Sequence, residues 1–159
     1  MMLRGLPPIV DRSARILILG SFPSQASLQA QQYYAHPRNQ FWRILGAVID
    51  APLFELPYPE RIAHVQAAGL AIWDSYAACE REGSLDAAIG DTRPTDIVGL
   101  RKSALALRRV CFNGRSAARR EQEMVALGLA TRVLPSTSPA HAGMSFDDKL
   151  ARWRAALFE

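Results

Sequence analysis

Ten consecutive residues carry much of the chemistry available to this chain. Tyr33-Tyr34-Ala35-His36-Pro37-Arg38-Asn39-Gln40-Phe41-Trp42 packs aromatic rings, two amides, an imidazole and a guanidinium into one short segment. Rings can stack on a planar ligand, and an amide can orient a water or pair with a polar edge because it both donates and accepts. Pro37 restricts His36 to an extended conformation. Asn39 reads in two ways, as the N-cap of a helix starting near Phe41 or as a chemically active amide. The rings divide in the same way, between filling a core and lining a pocket, and residue types alone leave both open.

Other chemistries find no support. His36, His64 and His141 are the only histidines, and none shares the i, i+4 spacing of a zinc-binding helix. His64, in Ile62-Ala63-His64-Val65, reads as a partly buried helix residue. No Gly-x-Ser-x-Gly elbow, Gly-x-Gly-x-x-Gly turn or phosphate loop is present. Two cysteines, Cys79 and Cys111, cannot supply a four-cysteine iron–sulfur cluster or a Cys-based zinc site, and in apolar surroundings they read as buried free thiols.

The elements that must position the segment alternate between β and α. Strands are expected at 15–19, 70–74, 110–112 and 131–134, each ending in polar or turn residues. Helices are expected at 41–49, 59–68 (stopped by Gly69), 95–107 (capped by Thr95), 116–127 (stopped by Gly128) and 146–157. Residues 20–39 read as a long loop with a helical turn near 27–32. This alternation predicts an α/β fold, a three-layer α/β/α sandwich around a central, mainly parallel four-stranded sheet. In such sheets ligands bind at the carboxyl ends of the strands. Gly20-Ser21, Asp74-Ser75, Asn113-Gly114 and Pro135-Ser136-Thr137-Ser138 should therefore meet in one cleft.

At 159 residues the chain suits one domain, residues 1–159, and no apolar run approaches the ~20 residues that cross a bilayer. The N-terminal residues show no signal-peptide core or cleavage site, so a cytoplasmic location is expected. The net charge of +4 is uneven: residues 91–159 hold 12 basic and 7 acidic groups, against 7 and 8 before them. Between Arg101 and Arg120 lie seven cations (Arg101, Lys102, Arg108, Arg109, Arg115, Arg119, Arg120) and no acid. Such a stretch fits a polyanionic partner or a solvated helix face.

Four ordered segments resemble the uracil-DNA glycosylase superfamily. His36-Pro37-Arg38-Asn39-Gln40-Phe41-Trp42 is similar to the His-Pro-x-Asn-x-Phe-Trp segment of mismatch-type members. Gly20-Ser21-Phe22-Pro23-Ser24 occupies the place of their first motif. Asn113 falls where a base-contacting polar residue ends a strand, and 134–142 resembles the second motif, the loop that enters the duplex. Together with Ser27-Leu28 and Ala71-Ile72-Trp73-Asp74, these segments resemble the hypoxanthine-DNA (DNA-deoxyinosine) glycosylase branch most closely. The resemblance spans about residues 15–155.

It implies excision of a deaminated base from duplex DNA (single-stranded DNA also open), by a monomer with no cofactor, metal or membrane. Association with the nucleoid of a bacterium follows. Phe22 stands where mismatch-type enzymes carry a water-orienting Asn, and the Asp of other branches is missing too. The resemblance therefore moves the catalytic role to Asn39, as in the deoxyinosine branch. It further implies Ser21, Phe22, Tyr34, His36 and Asn113 around the base, with Phe22 stacking on it. Ser136, Thr137, Ser138, Pro139, Ala140 and His141 would enter the DNA, and Asp74 would be either an accessory group or a structural carboxylate. Hypoxanthine is favoured, and uracil or xanthine remains open. The alternatives are a uracil- or mismatch-specific glycosylase, a catalytically inactive nucleic-acid-binding relative, and a hydrolase of another class on a flavodoxin-like sheet.

Overall fold

The computed structural model describes residues 2–158. Its centre is a parallel four-stranded sheet in the order β3-β2-β6-β7, made of β2 (Ile16–Gly20), β3 (Leu70–Asp74), β6 (Arg109–Asn113) and β7 (Ala130–Leu134). All five residues of β2 are buried, as a central strand covered on both faces requires. Ile16 and Ile18 face one core and Leu17 and Leu19 the other, so the two-residue period of the strand divides the molecule into layers.

Helices α2 (Phe41–Ile49), α3 (Tyr58–Ala67) and α6 (Phe146–Phe158) cover the first face with Phe41, Trp42, Ile44, Leu45, Val65, Trp153 and Leu157. The second face is covered by α4 (Ile97–Ser103) and α5 (Glu121–Ala126), through Ile97, Leu100 and Met124. The three-layer α/β/α sandwich expected from the sequence is the architecture observed. Both cysteines are buried free thiols.

Several local readings are corrected. Residues 75–94, left without elements, form β4 (Tyr76–Glu80) and β5 (Gly90–Pro94), which join β1 (Leu3–Arg4) in a second, antiparallel sheet ordered β1-β4-β5. The helical turn expected near 27–32 is α1 (Gln25–Ala30), beginning two residues earlier and capped by the Ser24 hydroxyl. Thr95 does not cap α4. It is buried, and its hydroxyl donates to the carbonyls of Asp74 (2.7 Å) and Ser75 (3.0 Å), leaving Asp96 to accept from Gly99 N–H. The 116–127 helix is split, with a 3-10 segment (Ala117–Arg120) preceding α5. His64 lies exposed on α3.

The second sheet is stitched to the first where the site lies. Ser75 N–H donates to the Gly20 carbonyl (2.7 Å) and Tyr76 N–H to that of Ser21 (3.2 Å). Arg120 reaches across to the Ser75 carbonyl (2.6 Å) and to both oxygens of Thr95. The β4–β5 hairpin loop thereby folds over the carboxyl end of the parallel sheet.

Candidate active site

The four polar strand ends meet in a cleft of about 1000 Å³. Gly20, Ser21, Phe22, Tyr34, Asn39, Asp74 and Asn113 line it from the sheet and the 33–42 segment. Ser136, Thr137, Ser138, Ala140 and His141 line it from the loop after β7, and Ser84, Leu85 and Asp86 from the hairpin. Two expected residues stand apart. His36 is half-buried outside the lining, its Nδ1 accepting from Arg38 N–H (3.1 Å), and Pro139 is exposed on the loop.

Asn39 does not hold the N-cap position of α2, which falls to Gln40; it lies one residue earlier, and its Oδ1 accepts from Phe41 N–H at 2.9 Å. One Oδ1 lone pair and the amide N–H groups remain for other partners. Tyr34, at a positive φ of 54°, stacks its ring on Phe41 with centroids 3.8 Å apart. Its hydroxyl is buried with no hydrogen-bond partner. Phe22 is largely enclosed by the packing of Tyr76 and Cys79, and the Arg81 guanidinium lies 5.2 Å from its ring centre. Little of that ring is left for stacking.

Asn113 joins two motifs. Its Nδ2 donates to Thr137 Oγ1 and its Oδ1 accepts from Thr137 N–H, both at 3.0 Å. Thr137 is wholly buried, and its carbonyl accepts from Gln40 N–H (3.0 Å). Lys149, also buried, donates to Gln40 Oε1 (3.1 Å) and to the His141 carbonyl (2.7 Å). Trp153 Nε1 holds the Pro135 carbonyl (2.9 Å). The segment carrying Asn39 and the loop after β7 thus form one hydrogen-bonded unit. Burial of the Lys149 ammonium pushes its pKa down.

The cleft floor is acidic. Asp74 is 5% exposed and its Oδ2 has no partner. Asp74 closes β3 in register with Gly20 on β2, and a Cβ at Gly20 would collide with Asp74 Oδ1 and stand 2.9 Å from the Tyr34 hydroxyl. Only glycine admits both groups there. Burial, then the charge of Asp86, pushes the Asp74 carboxyl up to about 7, with Arg81 opposing. Asp86 accepts from Ser21 Oγ (3.1 Å), and burial raises its pKa as well. Burial raises the Tyr34 hydroxyl furthest, the Asp74 charge adds to this, and the nearby Asn113 amide acts against it.

Sequence reasoning missed Asp86, Arg81 and Lys149. The first two lie in the hairpin that carried no readable pattern, and a lysine on an amphipathic helix gives no sign of being buried. The basic stretch is also less uniform than expected. Arg101, Arg109 and Arg120 donate to backbone carbonyls within the fold, and Arg108 sits beside the amino end of β6, remote from the cleft. Arg115 lines the cleft, and Arg119 is exposed in the same 115–120 segment.

A parallel three-layer sandwich that gathers amides, an aromatic hydroxyl and buried carboxylates at its strand ends, beside a polar loop, has the form of a nucleobase-binding hydrolase. The family model of the uracil DNA glycosylase superfamily matches residues 7–158, and the chain belongs to that superfamily. It is 39% identical over 157 residues to a hypoxanthine DNA glycosylase of Methanosarcina acetivorans, covering 99% of both chains. With a hypoxanthine DNA glycosylase of Methanosarcina barkeri it shares 35% identity over 154 residues, 97% of each. The solution NMR structure of a Methanosarcina acetivorans protein described as a candidate uracil DNA glycosylase superposes with a TM-score of 0.88 at 39% identity, covering 98% of this chain and 96% of that one.

Proposed function

We propose that this chain is a monofunctional DNA glycosylase of base excision repair. It hydrolyses the N-glycosidic bond of a deaminated base flipped out of DNA, with hypoxanthine preferred to uracil. The observation that carries this reading is the union of Asn39, Tyr34, Asn113 and the 135–141 loop around one concave site at the strand ends. The relatives named as hypoxanthine DNA glycosylases, aligned along nearly the whole chain, support it.

Each group has a task. Asn39 holds the attacking water through its free lone pair. An amide is a weak base, so its contribution is orientation, several kcal/mol of proximity effect being available to a well-placed nucleophile. Asn113 uses one donor and one acceptor on Thr137 and keeps one of each for the base edge. Ser136, Ser138, Ala140 and His141 press into the duplex, with hydroxyls on phosphates and the loop tip filling the vacated stack. Arg115 and Arg119 hold phosphates nearby. The 1–159 chain works as a single domain and a monomer on duplex DNA in the cytoplasm, without a cofactor.

Incubating purified protein with duplexes carrying hypoxanthine, uracil or xanthine, and cutting abasic products with alkali, tests this. Cleavage at hypoxanthine is expected to be fastest. Tight binding with no cleavage of any duplex would refute the enzyme reading in favour of a binding protein.

A further inference from the structure

The cleft floor holds groups that water orientation by Asn39 does not use. Asp74 is nineteen-twentieths buried and its Oδ2 meets no donor. The Tyr34 hydroxyl beside it is equally unpartnered. Neither Asp74 nor Asp86 forms an ion pair among the described residues. Arg81, the nearest cation on the hairpin, is turned to the carbonyls of Gly83 and Pro23. Asp74 is buried, and the half-buried Asp86 adds a like charge to the same cleft, so ionisation of Asp74 is disfavoured.

We propose that Asp74 is the acid that protonates the departing purine at N7, with Asp86 as the positioning residue that keeps the proton available. The inference rests on the glycosylase reading above. The Tyr34 hydroxyl neighbours both Asn113 and Asp74. O6 of hypoxanthine likewise lies between N1 and N7. Asn113 accepts from N1–H, Tyr34 donates to O6, and Asp74 donates to N7. As the proton passes from the Asp74 carboxyl to N7, the C1′–N9 bond breaks and its electron pair stays with the base. The base departs neutral, water adds its oxygen to C1′, and the proton it sheds returns to the Asp74 carboxylate or to solvent. No oxidant or reductant is involved.

The charged and titratable groups facing Asp74 are Tyr33 and Tyr34 from the segment before α2, and Asp86 and Arg81 from the hairpin. Arg119 and Cys79 act on it only through Asp86 and Arg81. Burial and Asp86 raise the Asp74 carboxyl to about 7, where an acid donates well at neutral pH. Burial raises the Tyr34 hydroxyl, so it keeps its proton and can donate.

The test is single-turnover excision between pH 5 and 9 by wild type, Asp74→Asn and Asp86→Asn, on duplexes carrying deoxyinosine or 7-deaza-deoxyinosine. Wild-type excision of hypoxanthine should fall as pH rises past about 7. Asp74→Asn should be slower by about 100-fold or more and lose that fall. Asp86→Asn should move the fall to lower pH, and the 7-deaza base should resist wild type. Wild-type rates that ignore pH, or equal cutting of the 7-deaza base, overturn the proposal even if Asp74→Asn does not fold. So does a folded Asp74→Asn that matches wild type. Failure of wild type to cut deoxyinosine at all would instead remove the glycosylase reading, and this inference with it.

Discussion

Removing the Asn113 side chain separates holding the loop from reading the base. In Asn113→Ala, Thr137 loses the acceptor for its N–H and the donor to its hydroxyl, both at 3.0 Å, at a residue with no exposure to water. An orphaned buried polar group costs about 1–3 kcal/mol, and the hydroxyl can recover part of its loss by rotating, so a total of about 3 kcal/mol is expected. For a domain of this size that corresponds to a fall of about 6–12 °C in melting temperature. The assay is urea and thermal unfolding of wild type, Asn113→Ala, Thr137→Val and the double variant. The two changes should be strongly non-additive, because Thr137→Val already removes one of the shared bonds. Asn113→Asp should keep the acceptor for Thr137 N–H while losing the amide donor, so its excision should suffer more than its stability. A loss below about 1 kcal/mol for Asn113→Ala, or simple additivity in the cycle, would show that the residue is not a clamp and return it to base reading alone.

Asn39→Ala should lower single-turnover excision by orders of magnitude while leaving duplex binding intact, and should cost about 1 kcal/mol of stability in urea through the lost hydrogen bond to Phe41 N–H. Arg115→Ala and Arg119→Ala should weaken binding to all duplexes alike, each reducing the salt slope by about one, whereas Arg108→Ala should change neither affinity nor slope in titrations at several salt concentrations. Asp74 binds its proton more tightly folded than unfolded, so its contribution to stability is complete below pH ~4 and lost as pH rises to about 7. Asp74→Asn should accordingly gain stability relative to wild type between pH 5 and pH 8, seen as a rising difference in urea midpoints. Gly20→Ala should cost about 1–3 kcal/mol by overpacking and displace Asp74 and Tyr34, abolishing excision in a protein that still melts cooperatively.

The parallel sheet was legible because β2, β3 and β6 carry apolar runs buried on both faces and end abruptly in polar residues. Leu70–Asp74 stands in the structure with the bounds read from its sequence, and Phe41–Ile49 likewise. The second sheet was not, because Gly90–Pro94 has no apolar alternation and exists as a strand only through its pairing with Tyr76–Glu80. Asp86 was hidden for the same reason: its role depends on where the hairpin closes over Ser21, a long-range fact. Thr95 and Asp96 both suit a helix start, and the choice between them fell to the carbonyls at the end of β3, which claim the Thr95 hydroxyl. Asn39 was read both as a cap and as a cleft amide; it lines the cleft, while the N-cap position passes to Gln40 because its carbonyl accepts the first helical bond.

The link from Asn113 through Thr137 to Gln40 and Lys149 also bears on how such a protein finds its lesion. A probe whose pocket and neighbouring loop are already locked together has little shape left to adjust, so the deformation of an encounter falls on the nucleic acid. Discrimination then begins before chemistry, in how often each base pair opens by itself. A pair that opens at a cost lower by 1.4 kcal/mol presents its base about tenfold more often to a receptor that does not yield. On that footing, tolerance of different opposing bases would be a property of the helix being searched, registered by a rigid surface.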